Sequence, residues 1–141
     1  MLLNSLTFGA GGHCVLTYEE DDHWLRATWS GLVGNYEAML GATAYLDRVT
    51  PHPSACLLND NLALQGPWFD SVEWLEHAWL PQAQRLGLRY VAHVVQADTH
   101  ADILTLTLPP HIAGLLELQL FTGLSEAEDW LRSCQQLALA Q

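Results

Sequence analysis

Apolar positions along the 141 residues change period several times, and each change marks an element. From 24 to 30, WLRATWS alternates strictly: Leu25, Ala27 and Trp29 fall on one side, Trp24, Arg26 and Thr28 on the other. Period two is that of a strand with one face more buried. HCVLTY at 13 to 18 is a second strand candidate, joined to the first through the acidic run EEDD at 19 to 22. The pair is expected to form an antiparallel hairpin with a polar tip. Beyond Gly34 the period lengthens. Tyr36, Met39, Leu40, Leu46 and Val49 recur at threes and fours, predicting a helix that Pro51 and Pro53 end.

Two short runs, ACLL at 55 to 58 and YVAHVV at 90 to 95, are almost continuously apolar. Such runs suit strands buried on both faces of a parallel sheet. Between them a helix is expected from about 70 to 86, closed by Gly87 as its C′ residue. Its start, FDSVEW, reads as a cap: Asp70 at the N-cap with Glu73 three residues on, and Phe69 and Trp74 placed as a hydrophobic staple. Val72, Leu75, Trp79, Ala83 and Leu86 then share the stripe facing the sheet, and Pro81 should kink the helix. Strand, helix and strand of these lengths form a right-handed crossover.

DTHADILTLTLPP at 98 to 110 reads two ways, because ILTLTL alternates like a strand while THAD suits a helix cap. Helix is taken, since another crossover is needed before LELQLF at 116 to 121. That strand alternates Leu116, Leu118 and Leu120 against Glu117 and Gln119, as a half-exposed strand near an edge would. The final segment, SEAEDWLRSCQQLAL, has Ser125 and Glu128 spaced as a capping box. Ala127, Trp130, Leu131, Cys134, Leu137 and Ala138 follow on one face. The order is β-β-α-β-α-β-α-β-α: one α/β domain over residues 13–141, preceded by an N-terminal extension, 1–12. Its sheet is mixed, with an N-terminal antiparallel hairpin and helices packed on it.

Composition narrows the function classes. Half the residues are apolar, as in a globular domain. No apolar run approaches the roughly 20 residues of a membrane helix. The start, MLLNSLTFGAGGHC, lacks the basic residues of a signal peptide. No membrane insertion and a cytoplasmic address are therefore expected. Sixteen acids against five bases leave a formal charge of −11, which repels phosphate backbones and argues against nucleic acid. Cys14, Cys56 and Cys134 form no Cys-x-x-Cys pair and read as buried thiols in a reducing compartment.

No P-loop, Gly-x-Ser-x-Gly or His-Glu-x-x-His motif occurs, and GAGG at 9 to 12 precedes a strand instead of opening a helix. The seven histidines lack ligand spacing, so neither a metal nor a cofactor is expected. His93 lies inside an apolar strand: either it is a core imidazole satisfied by a neighbour, or it is a catalytic or ligand group. With Cys56 it is the basis for the remotest reading, an enzyme.

Ligands of open α/β sheets bind beyond the carboxyl ends of parallel strands. Asn59, Asp60 and Asn61 stand there after one strand, and Gln96, Asp98 and His100 after the next. The same residue types equally serve turns. Trp24, alternating away from the inward set, and Trp68, in a loop after Gly66 and Pro67, are candidate exposed indoles. Ser71 at the first helical position is accessible. A phosphate on it would meet free amides and also the repelling Asp70 and Glu73.

The element order, the strand ACLLND and a helix beginning just beyond it resemble STAS domains, the fold of bacterial anti-sigma factor antagonists. LLNDN, GPW, EWL and WLPQAQRLGLRYVAHVV resemble small bacterial STAS-like proteins, and the likeness covers most of residues 13 to 133. In the antagonists a phosphorylatable serine sits in an Asp-Ser-Ser-Gly-like motif at this helix start. FDSV matches the Asp-Ser portion, with Val72 and Glu73 where Ser-Gly would stand.

The resemblance implies a non-catalytic regulatory domain acting through protein–protein contact, with a homodimer as one arrangement and Ser71 as the candidate phosphorylation site. Together with the residue reading it nominates Asn59, Asp60, Asn61, Trp68, Ser71, Asp98 and His100 for binding. The alternative is a carrier or sensor of a small apolar ligand or lipid, held between the sheet and residues 98 to 115.

Overall fold

The computed structural model describes residues 1–66, 74–96 and 114–139. Six strands form one sheet in sequential order: β1 (Leu2–Thr7), β2 (His13–Glu19), β3 (Trp24–Leu32), β4 (Cys56–Gln65), β5 (Tyr90–Val94) and β6 (Glu117–Phe121). The first three strands are antiparallel neighbours, and β3 through β6 are parallel. The expected mixed sheet and N-terminal hairpin are both present, with EEDD at the hairpin's tip.

β1 was not expected. Its Leu3 and Leu6 pack against the core although they lie three apart, because the register shifts between Leu2 and Asn4. A bulge there breaks the alternation that marks a strand in sequence. GAGG belongs to the turn between β1 and β2, where Phe8 N–H donates to Gly12 O at 2.8 Å and Gly11 takes a φ of 97°.

Helices cover both faces. One face buries Leu25, Ala27 and Trp29 of β3 against α1 (Asn35–Arg48) and the segment Leu75–Arg85. The other buries Trp24, Cys56, Leu58, Ala92 and Val94 against Ala127 and Leu131 of α3 (Leu124–Leu139). Trp24 is therefore a core residue of the second face, not an exposed indole. Arg132 of α3 lies 5.4 Å from the Trp24 ring centre and pairs with Asp22 of the hairpin turn at 3.3 Å, which ties α3 across the sheet.

α1 is where expected but turns a different face inward. Ala38, Gly41, Ala42 and Tyr45 are buried, whereas Tyr36 and Leu40 are exposed. Small residues win that face because the helix lies close over Trp29. A β-carbon at Gly41 would overlap Cη2 of the indole.

The segment after position 74 also departs from a plain helix. Leu75–Trp79 is a π-helical turn that passes into α2 (Leu80–Arg85). Pro81 has no N–H for the fourth carbonyl back, and its ring crowds that carbonyl, so the regular helical bonding gives way to a widened turn just before it. Trp79 and Ala83 face inward as expected, while Leu86 lies outside in the closing turn. Gly87, at φ 112°, ends α2 as a Schellman motif: Leu88 N–H donates to Ala83 O at 3.0 Å and Gly87 N–H to Gln84 O at 3.0 Å.

α3 begins at Leu124, so Ser125 lies within it, and Glu128 pairs with Arg132 at 3.5 Å instead of closing a capping box. Its Ala127, Leu131 and Cys134 are buried, and Leu137 is exposed. Residues 67–73, with the Asp70–Glu73 cap, and the segment 98–110 lie outside the described residues.

Candidate functional site

β4 runs well past the apolar ACLL, to Gln65, so Asn59, Asp60 and Asn61 are strand residues and not a turn beyond it. Each polar side chain in this stretch has a partner that the parallel register supplies. Asn59 stands opposite His93 of β5, and Asp60 lies beside Thr28 of β3. Alternation sends Asn59 and Asn61 to the α1 face and Asp60 to the other. The Asn-Asp-Asn run therefore does not converge on one ligand.

On the α1 face, Trp29 Nε1–H donates to Asn59 Oδ1 at 2.9 Å. That bond orients the amide, so Asn59 Nδ2 faces His93 Nδ1 at 2.7 Å and donates to it. Nδ1 is then an acceptor, which assigns the ring proton to Nε2. The Asn61 amide lies 3.2 Å from Nε2. His93 is thus a core imidazole bonded at Nδ1 to Asn59. The Asn61 atom nearest Nε2–H is Nδ2, so that amide offers the ring an acceptor when turned over. Burial pulls the His93 pKa down from 6.5 to about 4. At neutral pH the ring is uncharged.

Asn61 is only 3% exposed, and its Oδ1 has no hydrogen-bond partner among the described residues. It lines a cavity of about 100 Å³ between the sheet and the helices, together with Asn59 and His93. Trp29, Tyr45, Trp79, Leu57 and Val91 supply apolar wall. Trp79 is fixed by its own indole N–H, which donates to Ala42 O at 2.6 Å, and by its ring contact with Tyr45 at 5.2 Å.

On the opposite face, Asp60 receives Arg26 Nη2 at 2.8 Å, and its Oδ1 accepts from Leu62 N–H at 3.1 Å. β5 pairs with β4 only as far as Asp60, and the overhang is held by Gln96, whose Nε2 donates to Leu62 O at 2.8 Å.

The three thiols are buried and unpaired. Burial pushes Cys14 and Cys56 up to about 12 and Cys134 to about 11, so none is a thiolate nucleophile near neutrality. Among the described residues no group of three metal-ligating side chains gathers, and no helix is long and apolar enough to cross a membrane.

The surface offers a different feature. Leu32 at the end of β3 and Tyr36 and Leu40 of α1 are 46%, 70% and 41% exposed. Leu32 is in register with Gln65 at the end of β4, and Tyr36 and Leu40 lie one turn apart on α1. Sequence reasoning used Tyr36 and Leu40 to read the helical period of this segment; the structure turns both outward. Of the other nominated residues, Trp68, Ser71, Asp98 and His100 lie outside the described residues. Trp29 was read only as an inward side chain. The alternation Asn59-x-Asn61, facing a histidine in the next parallel strand, was the signal that could have linked it to the polar chain.

Comparison with protein-family models finds no match, and comparison with curated proteins finds none either. Among solved structures, the chain is similar to an anti-sigma factor antagonist from Mycobacterium paratuberculosis, with a TM-score of 0.58 and 16% identity over 90% of this chain and 99% of that one. The fold is STAS-like. A second similar structure is an uncharacterised protein of the DUF3478 family with a SpoIIAA-like fold from Shewanella loihica, at 18% identity and a TM-score of 0.49, covering 91% of this chain and 99% of that one. The STAS-like domain places its helices on both faces of the sheet and leaves Leu32, Tyr36 and Leu40 exposed.

Proposed function

We propose that this STAS-like chain is a non-catalytic regulatory domain that works by binding another protein, and that the exposed stripe of Leu32, Tyr36 and Leu40 is the centre of the contact. The single observation that carries this reading is the 70% exposure of Tyr36 between two exposed leucines. Aromatic side chains flanked by aliphatic ones are the usual anchors of protein interfaces. The likeness in fold to an anti-sigma factor antagonist supports the same reading.

The chemistry inside the domain agrees with it. His93 is buried and neutral with Nδ1 bonded to Asn59, and the Cys56 thiol is held protonated, so the two groups on which an enzyme reading was based are poorly suited to it. A net charge of −11 selects the partner: a protein with an apolar docking face and a basic rim. Two copies of this chain would repel one another, which places a heterologous partner ahead of a homodimer. Free buried thiols support a reducing, cytoplasmic setting for the contact. Asp60 and Asn61 are too buried to touch a partner, so the nominated surface shifts from residues 59 to 61 onto the end of β3 and the start of α1.

Affinity capture from the native host, quantified for wild type and for Tyr36→Ser/Leu40→Ser, tests the reading. The expected result is a partner whose recovery falls at least about tenfold in the double variant and declines with salt. Equal recovery with both proteins, or self-association as the only contact found, would overturn it. Ser71→Asp in the same experiment reads the proposed phosphorylation: a changed recovery supports a switch at Ser71, and an unchanged one removes it.

A further inference from the structure

The cavity on the α1 face is a separate matter from the protein contact, and its chemistry does not depend on that reading. We infer that it is a binding site for a small uncharged ring compound carrying one hydroxyl group.

Size sets the first limit. At about 100 Å³ the cavity is of the same order as the roughly 150 Å³ apolar cavity that takes up benzene, so it suits a single small ring. Its walls suit the same shape: Trp29, Tyr45 and Trp79 present aromatic surface, and Leu57 and Val91 close it with aliphatic surface. Charge sets the second limit. No Lys, Arg, Asp or Glu lines the cavity among the described residues, and His93 is neutral there at pH 7. An ion would lose its hydration with nothing to replace it.

The polar end supplies the third. Trp29 fixes the Asn59 amide, Asn59 fixes the His93 ring, and Nε2–H then faces the amide of Asn61. With Nδ2 toward the ring, Asn61 Oδ1 is a buried acceptor without a partner. Turned over, the amide gives Oδ1 to Nε2–H and leaves its NH₂ in the same place. Nδ2 toward Nε2–H sets two donors face to face, so this tautomer favours the turned amide, and in either orientation one half of the buried Asn61 amide points away from His93 at the cavity wall. A hydroxyl both donates and accepts, so it answers either orientation, which a carbonyl does not. A ring without it fills the space but leaves Asn61 unsatisfied.

The location suggested by the sequence, between the sheet and residues 98 to 115, involves a segment of which 98–113 lie outside the described residues. The described lining of the cavity comes mainly from β3, β4 and β5 below and from α1, the π-helical turn and α2 above.

Phenol and benzene are a matched pair of probes for the full-length protein, followed by the ¹H–¹⁵N signals of the Trp29 and Trp79 indoles. Phenol is expected to shift both indoles saturably and to bind at least about tenfold more tightly than benzene. In Asn61→Leu the preference is expected to fall to about onefold while benzene still binds. In Ala27→Leu, which fills the cavity from β3, neither probe should shift the indoles. Phenol leaving the wild-type indoles unmoved, phenol binding no tighter than benzene, or Asn61→Leu keeping the preference would each overturn the proposal. The wild-type comparison decides the matter even where a variant does not fold.

Discussion

Asn59 holds His93 in one protonation state: its amide donates to Nδ1 at 2.7 Å because the indole of Trp29 occupies the same amide's oxygen. The imidazole is buried, and its pKa falls from 6.5 to about 4. In the unfolded chain the ring takes up a proton below about pH 6.5, whereas in the folded chain it stays neutral until about pH 4. The unfolded state therefore binds more protons throughout that window, and stability declines as the pH falls through it. The whole effect is about 3 kcal/mol, complete above pH 6.5 and lost toward pH 4.

Urea unfolding of wild type and His93→Gln at pH 7.5 and 4.5 measures this directly. Wild type is expected to lose about 2–3 kcal/mol more than the variant between the two conditions. Carboxylates titrate in both proteins and cancel in the comparison. Parallel losses would show that the ring is protonated in the fold at pH 4.5.

Gly41 is the second point where a single atom decides packing. Replacing a mid-helix glycine with alanine ordinarily stabilises a helix by roughly 1 kcal/mol. Here the added methyl group would overlap the Trp29 indole, and the neighbour is a large ring already tied to Asn59. Overpacking of this kind costs about 1–3 kcal/mol, so Gly41→Ala is expected to lower stability. The double variant Gly41→Ala/Trp29→Leu should recover part of the loss beyond additivity in thermal or urea unfolding. A Gly41→Ala protein as stable as wild type would mean that α1 does not lie so close to β3.

How far the fold was legible follows from which residues carry each element. β3 and α3 show clean periods, and the positions read as inward are largely those that are buried. β5 and the core of β4 are greasy runs with no competing signal. The errors arise where one signal concealed another. Asn59, Asp60 and Asn61 carry turn propensity, yet Trp29, His93 and Arg26 supply the partners that let β4 continue. Those partners come from other strands, so no local window contains them. In α1 the inner face is made of alanine and glycine, which a hydrophobic stripe scores poorly against Tyr36 and Leu40. The bulge in β1 hides its period altogether. The site was half legible for the same reason: its residues were named, but their division between two faces needed the register.

Arg26 and Asp60 are the counterpart of the polar chain on the other face. Arg26 Nη2 meets Asp60 Oδ2 at 2.8 Å, and Nη1 lies 3.5 Å from Glu19. The aspartate side chain is 9% exposed and the arginine 26%, so the carboxylate depends on this guanidinium for most of its compensation. Removing one partner of such a pair leaves a charge uncompensated, which costs more than the pair contributes. Arg26→Leu is expected to lower stability by about 2–4 kcal/mol at pH 7, discounted for the partial exposure of the arginine. Adding Asp60→Asn removes the stranded charge while keeping the Oδ1 that accepts from Leu62 N–H, and should restore more than half of the loss. Chemical denaturation of the two single variants and the double variant closes the cycle. If the double variant is no more stable than Arg26→Leu alone, the arginine acts through the packing of its aliphatic stem over the sheet and not through the charge of Asp60.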